Sequence, residues 1–339
     1  MFASCWFYAR KLETPMKILH RSKMLAYMVP LVFILSGFSQ ADQYPIRPLR
    51  LVVPFAPGGG ADIVGRVIAQ LATEKLGQQV VVDNRGGGGG TMGTEILVAA
   101  RPDGYTLMLV SASYAISPSL YKLPYDAIKD VTPVTLLATG PFVIVVHPAL
   151  QVHSVKELIA LSRNKPMTIP YGSAGTGSIT HLAGELFCMM AGIQMIHVPY
   201  KGAGPAMSDL LGGQIKMIVG TSVTVTSHIK GGKLIPLAVT GLKRMSHLPE
   251  LPTVIEAGLA GYEVQTWFGI LFPRGVESQI IKRWNKDLNT IISEPRLVQR
   301  FSQEGLEPAS NPTADFSKIL QRDIERWKSV VERAAVKVN

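Results

Sequence analysis

Cysteine is scarce in this sequence of 339 residues, which contains only Cys5 and Cys188. Cys5 falls in an N-terminal segment that we expect to be removed, so the remaining chain cannot form an internal disulfide bond. Cys188 lies on the apolar face of a predicted helix, a position that indicates a core residue rather than a reactive thiol. The fold must therefore hold together without a disulfide bond.

The motifs of several common function classes are also missing. No Gly-Lys-Ser or Gly-Lys-Thr sequence follows a glycine-rich loop, which excludes a P-loop for nucleoside triphosphates. His181 and Glu185 stand one helical turn apart, but no second histidine completes a metal motif, so we predict a surface pair and no metal site. The positive charge is scattered, without the concentrated basic stripe that nucleic-acid binding needs. We therefore expect neither a metal nor a nucleic acid as a partner.

The apolar run Met24 to Phe38 falls short of the roughly 20 residues that cross a bilayer. Basic residues precede it and Ser39-Gln40-Ala41 follows it, which is the arrangement of a secretory signal peptide with its cleavage site. We predict a cleaved signal peptide over residues 1–41, a mature chain from Asp42, and export to the periplasm. A membrane anchor is the alternative; a lipid anchor is not expected, because no cysteine follows the run.

Loss of residues 1–41 leaves 298 residues and removes five basic residues and one acidic residue, so the formal charge falls from +10 to +6. This modest excess favours solubility and the long-range attraction of small anions. A chain of about 300 residues exceeds one comfortable core, so we expect two domains.

After Asp42 the sequence alternates strands and helices, the pattern of a mainly parallel sheet with helices on both faces. The first group comprises predicted strands Leu49 to Pro54, Gln79 to Val82 and Tyr105 to Val110, and predicted helices Ala61 to Leu76 and Thr91 to Ala100. A second group comprises predicted helices Ser154 to Arg163, Ser178 to Met190 and Gly204 to Leu211, and predicted strands Met167 to Tyr171, Met195 to Pro199 and Ile215 to Val219.

Two apolar stretches connect these groups. Val131 to His147 is interrupted by Gly140-Pro141, which a continuous central strand would not tolerate well, so we interpret it as a crossing into a second lobe. Thr266 to Phe272 is the return crossing. Two helices, Ser278 to Ile292 and Thr313 to Arg333, then pack back on the first lobe. We predict an α/β fold with lobe 1 over residues 42–140 plus 268–339, lobe 2 over residues 141–267, and the two crossing strands as a hinge.

A glycine-rich turn between a strand and a helix occurs twice, within Leu49 to Leu71 and within Met167 to Met190. In an open α/β sheet such a turn lies at the carboxyl end of a strand, where the first N–H groups of the next helix can bind an anion. One helix terminus contributes only about 0.3–1 kcal/mol, or about 2 when partly buried, whereas micromolar affinity needs about 8 kcal/mol. We therefore expect the two turns to face each other as one anion clamp.

Each turn also has a structural interpretation. In the first, Pro54 to Asp62, the glycines can form a tight turn or let a ligand approach the backbone, and Asp62 can cap the helix or contact a ligand. The second, Tyr171 to Ser178, combines glycines with three hydroxyl groups, which favours ligand contact. It resembles a nucleophile elbow, but Tyr171 stands where that motif has its first glycine, and no strong Asp/His pairing accompanies Ser173, so we expect no catalysis.

A third glycine run contains a G-x-G-x-x-G pattern at Gly88, Gly90 and Gly93 between a predicted strand and helix. Five consecutive glycines satisfy that pattern by accident, and no acid follows about 20 residues on to bind a ribose. A nucleotide-cofactor α/β enzyme stays as the less favoured alternative.

A series of motifs lies in order along the mature chain: Tyr44-Pro45-Ile46-Arg47-Pro48, Pro54 to Gly59 with Asp62, Val80 to Arg85, Pro102 to Leu107, Leu123 to Asp126, Gly172 to Ser178 with His181 to Glu185, His197 to Gly202, Leu237 to Thr240 and Trp267 to Gly269. Together they resemble the substrate-binding proteins of tripartite tricarboxylate transporters, the TctC or Bug family of extracytoplasmic solute receptors.

The resemblance implies a two-lobe periplasmic binding protein, a type II-like Venus flytrap, that captures a small carboxylate without a cofactor. The first glycine loop and ordered water would bind one carboxylate, and the second loop would close over the rest. Its implied partners are the permease subunits of the transporter, or alternatively a signalling sensor, and we expect a monomer. The predicted ligand-binding residues are Phe55, Ala56, Gly58, Gly59, Gly60, Asp62, Ser111, Thr139, Ser173, Ala174, Gly175, Thr176, Gly177, Ser178, His181 and Thr221.

The chain departs from the family pattern at positions that affect the ligand. Gly86 and Gly88 stand where the family often has proline and alanine. Lys216 and Gly220 stand where acids are common, and Gly220 falls at the cleft end of a predicted strand. Without an acid there, a ligand amine loses one partner, so we predict a plain carboxylate or dicarboxylate rather than an amino acid.

Overall fold

A computed structural model describes residues 44–334, with side chains to Glu332. The predicted signal peptide, residues 1–41, lies outside the described residues. Within the described part of the chain, no helix combines the length and apolar character needed to cross a membrane.

Ten strands lie within residues 44–334 and make up the sheet structure there. In chain order they are β1 Leu49–Val53, β2 Val80–Asn84, β3 Thr106–Ser111, β4 Val131–Val146, β5 Pro170–Ser173, β6 Ile196–Pro199, β7 Met217–Thr221, β8 Ile235–Val239, β9 Gln265–Pro273 and β10 Glu307–Pro308. Their lateral order is β2-β1-β3-β9-β4-β7-β5-β6, with β8 and β10 also paired to β4.

In the described part of the chain, ten α-helices connect and cover the strands. They are α1 Gly60–Leu76, α2 Thr91–Val98, α3 Ser113–Leu120, α4 Val155–Asn164, α5 Ile179–Ala191, α6 Ala203–Leu211, α7 Ser222–Lys230, α8 Ser278–Ile292, α9 Pro295–Gln303 and α10 Thr313–Ala334. Short 3₁₀ turns at Gly88–Gly90 and Pro148–Leu150 precede α2 and α4.

The strands form two sheets that share β4. In the first sheet, β1 lies between β2 and β3 and is parallel to both, while β9 is antiparallel to β3 and β4. In the second sheet, β5 is parallel to β6 and β7, and β7 and β8 are antiparallel to β4. The predicted alternation of strands and helices therefore produces parallel sheets, with antiparallel strands where the chain passes between them.

Strand β4 runs unbroken through Gly140 and Pro141, so the expected interruption is wrong. The strand changes partners at this point: residues up to Pro141 pair with β9, and residues from Phe142 pair with β7. The next backbone donor, the Phe142 N–H, bonds the Thr240 hydroxyl at 2.8 Å. Proline is tolerated because its missing N–H falls where one partner strand gives way to another.

Of the three apolar clusters formed by the described residues, two are large. One packs β1, α1 and β9 against α8 and includes Trp284 and Phe272, whose rings meet edge to face at 6.0 Å. The other extends from β3 and α3 through β4 to α5 and α10. Cys188 belongs to this second cluster, as predicted, and burial raises the pKa of its thiol to about 12.

Several elements were not predicted: α3, α7, α9, β8 and β10. Helix α3 contains Pro118 and no charged residue, and α7 carries few strongly apolar residues, so neither shows a clear helical stripe. Predicted helix Ser278 to Ile292, by contrast, matches α8 at both ends.

Candidate functional site

A cavity of about 40 Å³ lies where strands from both sheets end. Strands β1 and β3 lead into it from the first sheet, and β5 and β7 lead into it from the second. Its lining residues are Phe55, Gly59, Gly60, Ala61, Ser111, Ser113, Ala174, Thr180, Ala203, Thr221, Thr266 and Phe268. Ligands of open α/β sheets bind at the carboxyl ends of strands, so this cavity is the candidate site.

The described residues that line the cavity are all uncharged. Five carry hydroxyl groups, and the rest are phenylalanine, alanine or glycine. The polar groups available to a ligand are therefore hydroxyls and backbone N–H groups. Burial of a charged ligand here would leave recognition to neutral donors.

Helix N-termini converge on the same cavity. Helices α1, α3 and α6 begin at the lining residues Gly60, Ser113 and Ala203, and α7 begins just after Thr221. Helix α5 begins at Ile179, beside the lining residue Thr180. Because the first N–H groups of a helix lack intrahelical partners and carry partial positive charge, these termini together favour an anion.

The first glycine loop packs closely against the second sheet. The Ala56 N–H donates to the Lys201 carbonyl at 2.9 Å. A Cβ atom at Gly60 would lie only 2.5 Å from the Thr221 hydroxyl oxygen, closer than real contacts allow. Glycine is thus required at the start of α1 for the approach of the two sides.

Asp62 has a structural environment in the first turn of α1. Its carboxylate accepts hydrogen bonds from the Gly58 N–H (2.9 Å), from Arg66 (3.0 Å) and from the Asn84 amide (2.9 Å). Burial acts to raise the pKa of Asp62, but these hydrogen bonds outweigh it and hold the pKa below its ordinary value. Asp62 does not line the cavity; it orders the loop that does.

The second glycine loop also makes contacts across the cleft. The Ser113 hydroxyl accepts the Ile179 N–H at 3.0 Å, and the Tyr121 hydroxyl donates to the Thr176 carbonyl at 2.7 Å. Within the loop, the Ala174 N–H donates to the Thr180 hydroxyl at 2.9 Å. Ser178 caps α5 by accepting the His181 N–H at 3.3 Å.

The glycine run after β2 serves this same contact. A Cβ atom at Gly89 would lie 2.6 Å from the Thr176 carbonyl oxygen, so this run packs its own backbone directly against the second glycine loop, while the neighbouring Gly90 packs against Phe55 of the first. The accidental dinucleotide pattern therefore lies at a packing position between the loops.

The predicted site residues divide into three groups. Six line the cavity: Phe55, Gly59, Gly60, Ser111, Ala174 and Thr221. A second group surrounds it without lining it: Ala56, Gly58, Asp62, Ser173, Gly175, Thr176, Gly177, Ser178 and His181. Thr139 instead lines a separate cavity of about 480 Å³ beside Gly140, Pro141 and Gly241.

Six lining residues were not predicted: Ala61, Ser113, Thr180, Ala203, Thr266 and Phe268. Ser113 was missed because α3 was not predicted. A signal was present for the other five. Ala61, Thr180 and Ala203 stand at or near the starts of predicted helices that follow strands, and Thr266 and Phe268 belong to the predicted return crossing.

His181 and Glu185 do pair, but the prediction that the pair lies on the surface is wrong for His181. His181 is only 5% exposed, and its ring stacks on the His197 ring with centroids 3.8 Å apart. Its Nε2 atom lies 3.8 Å from the Glu185 carboxylate. The apolar stripe of α5 turns this side of the helix inward, which the i, i+4 spacing alone does not reveal.

The sequence was compared with known proteins. Residues 64–336 match the family model described as "Tripartite tricarboxylate transporter family receptor", TctC. Protein BugT of Bordetella pertussis is 35% identical over 301 residues, which cover 88% of this chain and 92% of that protein.

Solved structures agree with the sequence comparison. The periplasmic binding protein BugD superposes with a TM-score of 0.84 at 35% identity, covering 87% of this chain and 99% of BugD. R. palustris Rpa4515 with adipate gives 0.84 at 33% identity and the same coverages, 87% and 99%. MatC (Rpa3494) from Rhodopseudomonas palustris with bound malate gives 0.79 at 28%, covering 85% and 100%. The fold is thus that of a two-lobe periplasmic binding protein, and the chain belongs to the TctC family of tripartite tricarboxylate transporter receptors.

Proposed function

We propose that this chain is a periplasmic receptor that captures a small carboxylate, a plain organic acid or dicarboxylate, between its two lobes. It would deliver this solute to the membrane subunits of a tripartite tricarboxylate transporter, acting as a monomer and without catalysis. The observation that carries the proposal is the uncharged cavity on which helix N-termini from both sheets converge.

The related structures support the class of ligand. Rpa4515 is described with adipate and MatC with malate, and both ligands carry two carboxylates. Two clusters of N-terminal N–H groups on opposite sides of a cleft match two negative ends of one ligand. We therefore place dicarboxylates first among the candidates.

The strand pairing supports the lobes that we propose from the sequence. Lobe 1 would comprise residues 42–140 plus 268–339, and lobe 2 would comprise residues 141–267. Strand β4 exchanges its partner between Pro141 and Phe142, and β9 begins its pairing at Gln265. The hinge then consists of β4 and the start of β9.

The size of the cavity implies movement. A volume of about 40 Å³ holds only a few water molecules, since a water needs about 10–15 Å³ of such space. A dicarboxylate needs more room, so we expect the lobes to separate for the ligand to enter and then to close around it.

The described lining residues include no aspartate or glutamate, which disfavours amino acids as ligands. A ligand ammonium group placed in this cavity would be desolvated without a carboxylate partner, which is costly. Malate and aspartate differ at one carbon, where a hydroxyl replaces the ammonium group, so they make a matched pair.

Isothermal titration calorimetry of the purified mature chain with malate, succinate, adipate and aspartate tests the proposal. We expect at least one diacid to bind with micromolar or better affinity, and aspartate to bind at least 100-fold more weakly than malate. Tight binding of aspartate would overturn the preference for a plain acid, and no binding of any diacid would overturn the ligand class.

A further inference from the structure

Two buried histidines lie directly behind the second glycine loop. His181 comes from the first turn of α5, and His197 comes from β6, the outermost strand of the second sheet. Their rings stack at 3.8 Å between centroids with an 18° angle between planes, and Tyr171 of β5 lies 5.1 Å from the His197 ring. The loop thus packs directly against this pair of rings.

Each imidazole is linked to the loop by a hydrogen bond. The Gly177 N–H donates to His181 Nδ1 at 3.2 Å. His197 Nε2 lies 2.7 Å from the Ser173 hydroxyl oxygen, which in turn accepts the Gly175 N–H at 3.1 Å. His197 therefore contacts the start of the loop at Ser173, and His181 contacts its end at Gly177.

The contact at Gly177 fixes the protonation state of His181. A backbone N–H can only donate, so His181 Nδ1 must be an unprotonated acceptor, and the neutral ring carries its proton on Nε2. A second proton could only be added at Nδ1, where it would meet the Gly177 N–H. Protonation and this hydrogen bond exclude each other.

We infer that His181 and His197 act as a neutral imidazole latch that positions the Ser173–Ser178 loop, and that protonation of His181 in acid releases the loop. This inference rests on the proposed function, because it assigns the positioning of one side of the ligand cleft. His181 and His197 are positioning residues: they do not line the cavity.

The surroundings of the pair favour the neutral form at ordinary pH. Burial lowers the pKa of both rings, and the proximity of His181 helps to lower the pKa of His197 to about 3. The titratable groups that face the pair in the described structure are Glu185 and Cys188 of α5 and Tyr171 of β5. Glu185 raises the pKa of His181 and also accepts a hydrogen bond from Tyr171, while burial keeps Tyr171 and Cys188 neutral.

The sign of the pH effect follows from these directions. Both folded-state pKa values lie below the ordinary value of 6.5, so the latch is intact above that pH. As the pH falls below 6.5, His181 binds a proton more readily when the loop is released than when the Gly177 N–H occupies Nδ1, so the population shifts toward the released loop by up to tenfold per pH unit. Protonation of His197 does not break its contact, because the Ser173 hydroxyl oxygen can also accept a hydrogen bond from the imidazolium. Glu185 partly opposes this shift because it stabilises the His181 imidazolium.

The test measures hydrogen exchange at single amides in the unliganded mature chain by NMR, expressed as protection factors so that the intrinsic pH dependence of exchange cancels. In the wild-type protein we expect the protection of the Gly177 amide to fall at least tenfold between pH 7.5 and pH 4.5. In His181→Asn, whose side-chain oxygen can occupy the acceptor position without titrating, we expect a change of less than threefold. His153→Asn, at an exposed histidine, is the matched control and should behave as wild type.

Equal pH dependence in wild type and His181→Asn would overturn the inference, as would constant protection in the wild type. If His181→Asn does not fold, the ¹⁵N spectrum of the wild-type imidazoles decides. We expect His181 to show an unprotonated Nδ1 at pH 7.5 and to stay neutral at pH 5.5; a proton on Nδ1, or titration near pH 6.5, would contradict the latch. These readouts need no ligand, so failure of carboxylate binding and failure of the latch are distinguishable.

Discussion

At the scale of single residues, the candidate site depends on small side chains and on neutral polar groups. Gly60 brings the start of α1 against Thr221, and hydroxyls rather than charges line the cavity. Backbone N–H groups at helix starts then supply the electrostatic attraction for an anion, and they need no side chain that titrates. Charged residues such as Asp62 act one layer further out, where they order the loops.

Replacement of Gly60 by alanine should weaken ligand binding. The new Cβ would lie 2.5 Å from the Thr221 hydroxyl oxygen, so the first loop must move away from the second sheet. We expect calorimetry with malate to give at least tenfold lower affinity for Gly60→Ala. Gly212→Ala, whose Cβ would make its nearest contact at 3.4 Å, is the control and should bind as wild type. Equal affinities for the two variants would contradict the assigned approach.

Asp62→Asn should destabilise the protein in a pH-dependent way. The carboxylate loses its charge-assisted bonds to Arg66 and the Gly58 N–H, a loss of about 1–3 kcal/mol in the free energy of unfolding at pH 7. Because the folded-state pKa lies below the ordinary 3.8, the wild-type advantage is full above that value and disappears as the pH falls through the folded pKa. Urea unfolding of both proteins at pH 7 and pH 3 measures this; a constant difference would argue against it.

At the scale of helices and strands, periodicity predicted most of what lies around the site. Helices α1, α5 and α8 were placed within a residue or two because each has a strong apolar stripe, and α8 was placed with both ends correct. Helix α3 was missed because it is short and contains Pro118, and its first residue, Ser113, was therefore missed as a site residue. The continuity of β4 through Pro141 depends on partner strands far away in sequence, which no local pattern contains.

A change at the start of α5 should lower the affinity for the ligand as well as the free energy of unfolding. Ser178 caps α5 and Ser154 caps α4, with hydrogen bonds of 3.3 and 3.2 Å to backbone N–H groups. Ser178→Ala and Ser154→Ala should each lower the free energy of unfolding by about 1 kcal/mol in urea titrations. Of these two variants, only Ser178→Ala should also weaken malate binding, by about tenfold, because α5 begins at the cleft and α4 does not. A similar loss of affinity in Ser154→Ala would assign the effect to general stability.

At the scale of the whole molecule, two lobes meet through backbone-rich contacts. Among the described residues, three hydrogen bonds cross the cleft. They join Ala56 to Lys201, Ser113 to Ile179, and Tyr121 to Thr176. The sequence predicted that the glycine loops would face each other, and they do. The sequence could not predict which atoms of the two sides make contact, because that depends on how the sheets are placed in three dimensions. For the same reason, Thr139 was predicted for the ligand cleft but lines a different cavity.

Tyr121→Phe should shift the molecule toward open forms. The variant loses the hydrogen bond to the Thr176 carbonyl, worth about 0.5–1.5 kcal/mol, so malate affinity should fall by about 2- to 12-fold. Small-angle scattering should show a larger radius of gyration than wild type at subsaturating malate. Tyr105→Phe removes a hydroxyl far from the cleft, where it accepts the Ile46 N–H, and should change neither quantity. Unchanged affinity in Tyr121→Phe would show that this contact does not contribute to closure.

The central claim is that both lobes together hold a carboxylate with neutral main-chain and hydroxyl donors. A crystal structure of the mature chain with bound malate tests it most directly. We predict carboxylate oxygens within about 3.2 Å of N–H or O–H donors from the start of α1 on one side and from the Ala174–Thr180 segment on the other. A malate bound by one lobe alone, or held through a lysine or arginine side chain, would contradict the account.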